Sequence, residues 1–243
     1  SSDLRYRLDI PRQFFGYSDS GVPLQSVDAL GTSPTYIGIS AYGRGLKLYA
    51  IGRESIALLL KALPGVHSSL IRDAGQLVRL DIKEGKCKAE FNTGNRFRYY
   101  IDSMLASKSR RDDKTRVMFE NLAEAGQNPL VNPAFLSRAS ELVDRGLSRQ
   151  YWAFEDDIDT ESTYPYGDPD RLDIMGCKVH AIGGHAWSVA SSSGKGVRLV
   201  LKGIEFTSPV KLGGLWLTGN AISRGEGIVQ HSSVGWGEKE KAA

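Results

Sequence analysis

Between residues 203 and 227 the sequence reads GIEFTSPVKLGGLWLTGNAISRGEG, with glycines at 203, 213, 214, 219, 225 and 227. A β-type run, Val197–Lys202, leads in, and an apolar pair, Ile228-Val229, leads out. Between them the chain must turn, and glycine lets the backbone take positive φ and lie close against a ligand. Backbone N–H groups in such a loop form a concave anion site. Arg224, the charged donor within the last cluster, adds a guanidinium fork suited to phosphate. No Walker-type GK[ST] follows and the GxGxxG spacing is absent, so the stretch points to a phosphate backbone rather than a nucleotide cofactor. The same glycines also fit a hairpin with bulges, and both readings stay open.

A chain of 243 residues holds one large domain or two small ones. The net charge of +3 is small, so any case for nucleic acid rests on where the charge lies. It is segregated: residues 83–116 hold ten Lys/Arg against five acids, whereas 154–173 hold eight acids against Arg171 alone. A chain that segregates its charge this way can show one basic face, and phosphate contacts dominate nucleic-acid affinity. The densest part, Lys108, Arg110, Arg111, Lys114 and Arg116, falls between expected helices and can project. Its bland counterpart is a solvated helix-linking face. The acidic stretch reads as a solvated loop without the spacing of a calcium loop.

Cys87 and Cys177 stand far apart with no CxxC spacing, which gives neither a disulfide framework nor a zinc site and fits a reducing cytoplasm. No apolar run approaches the ~18 residues of a membrane span, so no membrane association is expected. The opening Ser1-Ser2 is expected to be a trimmed end.

Along the chain, Leu4–Ile10 alternates as a half-buried strand and stops at Pro11. Residues 12–34 read as a long loop. Tyr36–Ala41 and Leu46–Ile51 form a hairpin around Tyr42-Gly-Arg-Gly45, followed by a buried helix over Arg53–Leu63 and a strand at Leu77–Ile82. Phe97, Tyr100, Ile101, Met104 and Leu105 fall on one helical face. A second helix carries Met118, Leu122 and Ala125 and ends at Gly126. A third starts at Pro133, with Phe135, Leu136, Ala139, Leu142, Val143 and Leu147 inward. Strands return at Asp173–Ile182, Ala186–Ala190 and Val197–Lys202, with Gly183-Gly184 as a turn. The class is α+β.

His67, His180, His185 and His231 form no HxxxH, HExxH or HxH pair, so no metal site is expected. There is no GxSxG elbow. His180 and His185 flank the Gly-Gly pair and can meet a phosphate, although strand-end histidines usually serve structure. One reaction needs neither metal nor fixed signature: cleavage of RNA by its own 2′-hydroxyl, with a base near that oxygen and a cation near the phosphorane.

The closing segment VRLVLKGIEFTSPVKLGGLWLTGNAISRGEGIV resembles that of the CRISPR repeat-processing endoribonucleases of the RAMP superfamily. There a strand entering a glycine turn is followed by a G-x-G-type loop with basic residues and a short strand. The opening LRYRLDIP looks like that family's first strand. The basic stretch 95–150 is similar to the helical finger of the type IV version, which grips the repeat stem-loop. The resemblance implies tandem ferredoxin-like (RRM-like) folds with a helical insert, divided as 1–94, 95–150 and 151–243. It also implies metal-independent cleavage of precursor CRISPR RNA to a 2′,3′-cyclic phosphate, no cofactor, and retention of the stem-loop product. Other subunits of a CRISPR ribonucleoprotein are implied partners.

Carried over by position, Gly219, Arg224, Gly225 and Gly227 would form the glycine loop, with the basic run as a further RNA contact. Many members place a catalytic histidine after the first strand, but residues 11–60 contain none. Arg12, Tyr17, Tyr36, Tyr42 and Arg44 are the candidates in that window, the arginines for the phosphorane and a tyrosine to orient the 2′-hydroxyl. The competing readings are a catalytically silent RNA-binding subunit of a CRISPR effector complex and a structural or assembly protein whose glycines only turn.

Overall fold

The expected hairpin is present as β1 (Tyr36–Tyr42) and β2 (Gly45–Ile51). The two strands pair antiparallel from Tyr36↔Ile51 to Tyr42↔Gly45. The computed structural model describes residues 36–42, 45–51, 56, 57, 59, 60, 63, 87–92, 94–107, 113–155, 174–190, 196–219 and 226–232. The hairpin belongs to the first of two units, residues 1–85, 153–167 and 222–225. The expected helix follows it, since Ile56, Ala57, Leu59, Leu60 and Leu63 are helical. Its burial differs from expectation: Ile56 is 45% and Leu60 56% exposed, whereas Leu59 and Leu63 are half-buried. The two pairs form neighbouring i, i+4 rows, and only one row turns inward. The strands expected at Leu4–Ile10 and Leu77–Ile82, and the loop at 12–34, lie outside the described residues.

The second unit comprises residues 86–152, 168–221 and 226–243. A small sheet pairs β3 (Lys88–Phe91) with β7 (Val210–Gly213). A five-stranded antiparallel sheet runs in the order β5-β6-β4-β9-β8. Its members are β4 (Phe97–Leu105), β5 (Lys178–Ala190), β6 (Gly196–Ser208), β8 (Trp216–Leu217) and β9 (Ile228–His231). Two helices, α1 (Lys114–Glu124) and α2 (Pro133–Glu155), connect β4 to β5.

Two expectations are corrected here. Phe97–Leu105 is the central strand of the sheet, not a helix, so the stretch 95–150 is not helical throughout. Its apolar run satisfies both periods, but Tyr99 and Ile101 are buried between exposed Arg98 and Asp102, which is the alternation of a strand. Pairing with β6 on one edge and β9 on the other decides the matter. Gly183-Gly184 is likewise no turn. It lies inside β5, opposite a β6 that extends through Gly203 to Ser208.

The core sits where α1 and α2 cover one face of this sheet. It joins Tyr99, Ile101 and Met104 of β4, Leu199, Leu201, Ile204 and Phe206 of β6, and Phe119 of α1 to the helix α2. That helix contributes Phe135, Ala139, Val143 and Leu147, each completely buried, one apolar row at i, i+4 spacing. The neighbouring row is polar and equally purposeful. Ser140, Asp144 and Ser148 accept the backbone N–H groups of Val179, Met175, Cys177 and Ile174. The helix therefore satisfies, with its own side chains, the segment that leads into β5.

Candidate nucleic-acid interface

The described parts of the glycine stretch form a clamped base. Leu217 pairs with Ile228, and Trp216 with Val229. Just beyond, the Thr218 N–H donates to the Gly227 carbonyl (2.9 Å), and the Gly227 N–H donates to Ser103 of the central strand (2.6 Å). The segment between Thr218 and Gly227 thus leaves and re-enters the sheet at one point. Both entry glycines are obligatory. Gly219 has φ 91° and a Cβ there would come within 2.6 Å of Met104 Cγ. Gly227 has φ 77° and a Cβ would overlap the Thr218 carbonyl oxygen.

Helix α2 fixes this base from beneath. Thr218, 1% exposed, donates its hydroxyl toward the carbonyls of Leu142 (3.3 Å) and Val143 (3.2 Å). Gln150 donates to the Leu215 carbonyl and accepts the Leu217 N–H, both at 2.8 Å. Gly146 lets the helix approach, because a Cβ there would overlap Thr218 Oγ1. The base has the geometry of a hairpin; Arg224 and Gly225, at its expected anion-binding tip, lie outside the described residues.

Of the basic run, Lys108, Arg110 and Arg111 lie outside the described residues, and Lys114 is exposed at the first turn of α1. Asp113 caps that helix by accepting the N–H groups of Thr115 and Arg116. Arg116 is engaged within the chain: its Nε pairs with Glu120 at 2.8 Å and its Nη1 donates to the Val197 carbonyl at 3.3 Å. Among the catalytic candidates, Tyr36 and Tyr42 mark the two ends of β1, while Arg12, Tyr17 and Arg44 lie outside the described residues.

The histidines divide by role, His67 being outside the described residues. His231 bonds the Leu212 carbonyl through Nε2 at 2.7 Å and lies against the Tyr99 ring. His185 packs on Phe119 and Trp187. His180 differs, because its Nε2 stands 2.8 Å from Thr207 Oγ1 in a cationic neighbourhood. Burial, and then Lys178, Arg96 and Arg98, hold its pKa below the ordinary 6.5. Arg96 and Arg98 entered the sequence only as members of a charge count. The signal was the Arg96-Phe-Arg98-Tyr-Tyr100 alternation, which a helical reading of that run conceals.

Among the described residues no three His, Cys, Asp or Glu side chains stand together as a metal site, and no helix is long and apolar enough to cross a membrane.

A family model described as "Type IV CRISPR-associated endonuclease Csf5" matches residues 5–233. Among solved structures, one described as "Csf5, CRISPR-Cas type IV Cas6 crRNA endonuclease" superposes with a TM-score of 0.60 at 16% identity, covering 95% of this chain and 92% of that one. At that identity the likeness is one of fold. Among curated proteins nothing matches.

Proposed function

The chain belongs to the type IV CRISPR-associated endonuclease family Csf5, and from that premise we propose that it cleaves precursor CRISPR RNA at repeat stem-loops and keeps the mature RNA bound. The observation that carries this reading is the family match across residues 5–233. The chemistry is attack by the 2′-hydroxyl on the adjacent phosphorus, with departure of the 5′-oxygen, giving a 2′,3′-cyclic phosphate. Such a step asks the protein to hold the scissile nucleotide in line, to accept a proton, and to neutralise the phosphorane. Arg12 and Arg44 serve the charge, and Tyr17, Tyr36 or Tyr42 orients the nucleophile. Arg224 and Gly225, which fall in sequence between Thr218 and Gly227, grip the RNA backbone, and Lys108, Arg110, Arg111 and Lys114 add phosphate contacts.

The fold reading supports this use. In chain order the strands β4, β5, β6 and β9 lie in the sheet as second, third, first, fourth, and α1 with α2 forms the crossover between the first two. The strand order is compatible with a ferredoxin-like sheet, with β7 and β8 lying between β6 and β9 where a second crossover helix would run; our reading takes residues 97–231 as such a fold and the N-terminal part as its tandem partner. Retention of the product within a larger CRISPR ribonucleoprotein belongs to the same proposal.

The test is direct. The purified chain is incubated with a synthetic repeat stem-loop RNA in excess EDTA, and the products are resolved on a denaturing gel before and after treatment with a cyclic phosphate-opening phosphatase. One cut at the stem base, EDTA-resistant and carrying a cyclic phosphate, is expected. Tight binding without cleavage would move the chain to the RNA-binding subunit reading, which the lack of histidine in residues 11–60 favours. Absence of both binding and cleavage overturns the assignment.

A further inference from the structure

The helices cover one face of the five-stranded sheet, and its other face carries a cluster that the glycine loop and the basic run do not use. Arg98, Thr207 and Lys178 occupy one row across three adjacent strands: Arg98 pairs with Thr207 on β6, and Thr207 with Lys178 on β5. At the irregularity between Val179 and Ala181, His180 turns its Nε2 to within 2.8 Å of Thr207 Oγ1. Arg96 joins them from just before β4, donating from Nε to Thr207 Oγ1 (3.1 Å) and from Nη2 to the Gly176 carbonyl (2.6 Å). Three cations therefore surround one imidazole, with Glu205 on β6 as the opposing carboxylate.

These cations are available. Arg98 and Lys178 are exposed, and neither side chain forms a hydrogen bond or ion pair with another described residue. Arg96 uses Nε and Nη2 within the chain and leaves Nη1, a fork position suited to phosphate oxygens. His180 Nε2 and Thr207 Oγ1 share a hydrogen bond, and the same hydroxyl oxygen accepts from Arg96 Nε. Gathering three cations against the single carboxylate of Glu205 costs free energy in the free protein, and an anion placed among the groups lowers that cost.

We propose that Arg96, Arg98, Lys178 and His180 form a second phosphate-binding site on the sheet face opposite the helices, and that its ligand is the backbone of single-stranded RNA continuous with the bound stem-loop. The row from Lys178 to Arg98 spans two strand spacings, about 10 Å. That is wider than a single phosphate group and suited to consecutive phosphates of an extended strand. Tyr100, two residues beyond Arg98 on the same face of β4, adds a ring on which a base can stack. The site rests on the RNA-processing reading but is read out separately from it.

The ring supplies a second signature. A phosphate beside His180 favours the imidazolium, so affinity rises as pH falls toward the lowered pKa of the free protein. Lys178 on the same strand, Arg96 and Arg98 from β4 and its approach, and Glu205 on β6 are the charged groups facing the ring. Thr207 is its neutral partner.

The experiment measures fluorescence anisotropy of the full chain with a labelled single-stranded RNA of about twelve nucleotides, over a salt series, and separately with the bare stem-loop. Wild type is compared with Arg98→Gln/Lys178→Gln, and with Lys88→Gln/Lys211→Gln, which removes the same charge from the small sheet. The first variant should weaken single-strand affinity about tenfold and lower the salt slope by about 0.7 for each cation removed, with the control unchanged. Wild-type affinity should rise severalfold between about pH 8 and about pH 5.5, and His180→Gln should abolish that rise. Equal salt slopes for wild type and the first variant overturn the proposal. So does displacement of the single strand by inorganic phosphate at matched ionic strength, which would mark a site for the free ion. Failure of the processing reading appears elsewhere, as a wild-type chain that neither binds nor cuts the bare stem-loop.

Discussion

Asp144 of α2 places its Oδ2 2.6 Å from the backbone nitrogen of Cys177, at the threshold of β5. Its Oδ1 accepts the Met175 N–H at 3.1 Å and the Ser148 hydroxyl at 2.9 Å. A carboxylate that is 4% exposed is tolerable only with such partners, and here it replaces water for two backbone donors. Asp144→Ala leaves them unsatisfied and should destabilise the fold by about 2–4 kcal/mol, read as a lower urea midpoint at unchanged m-value. The Cys177 thiol shares this setting: burial first, then Asp144, raises its pKa well above 9.0. It should therefore react more slowly with a thiol reagent at about pH 8 in the folded than in the unfolded protein.

Gly146 and Thr218 provide a second test. In the interior of a helix, alanine is ordinarily favoured over glycine by about 1 kcal/mol. Here the sign should reverse, because the added methyl would overlap Thr218 Oγ1 and crowd its Cα. Gly146→Ala is expected to destabilise by about 1–3 kcal/mol. Thr218→Ala in the same chain should recover part of the loss, giving a coupling energy that neither single variant shows. Additive losses would mean that the helix and the base of the glycine stretch are not held by this contact.

What the sequence made legible follows from how local each signal is. The hairpin at β1 and β2 was readable because two alternating runs flank a glycine-bearing turn. Helix α2 was readable because Pro133 and the row Phe135, Ala139, Val143, Leu147 are local facts. Phe97–Leu105 was misread because Phe97, Tyr100, Ile101, Met104 and Leu105 fit a period of 3.6 and hide the shorter alternation of Phe97, Tyr99 and Ile101, and only its partners, β6 and β9, far along the chain, decide between them. That one error also hid a site. Once the run is a strand, Arg98 and Tyr100 share a face, and Arg98 stands in line with Thr207 and Lys178. Gly183-Gly184 misled for a related reason: glycine punctuates turns, but it also admits close strand approach. A Cβ at Gly203 would lie 3.4 Å from Gly183 Cα.

The glycine stretch offers a functional prediction that depends on the endonuclease reading. Gly227→Ala forces a positive φ on a residue with a Cβ and sets that atom against the Thr218 carbonyl, a strain of about 1–3 kcal/mol or more. The hydrogen bonds Thr218–Gly227 and Gly227–Ser103 should loosen. Single-turnover cleavage of the repeat stem-loop should slow by at least about tenfold, while far-UV circular dichroism stays near wild type. Wild-type cleavage in this variant would show that the base of the stretch does not position the chemistry.

Tyr99 carries the last prediction, and it concerns alkaline pH. Its hydroxyl donates to the Val210 carbonyl and accepts the Leu212 N–H, both at 2.8 Å, tying the central strand to β7. Burial is the chief reason that its pKa is pushed from 10.0 up to about 12. The folded state therefore prefers the neutral phenol more strongly than the unfolded chain does. The stability from that preference is complete below about pH 10 and declines as pH rises toward about 12. Urea midpoints measured across this range should fall in the wild type. Tyr99→Phe should be less stable at neutral pH by about 1–3 kcal/mol, since it strands a buried N–H and a carbonyl, and its alkaline decline should be shallower because the titrating phenol is gone. Parallel declines in the two proteins would assign the alkaline loss to other groups.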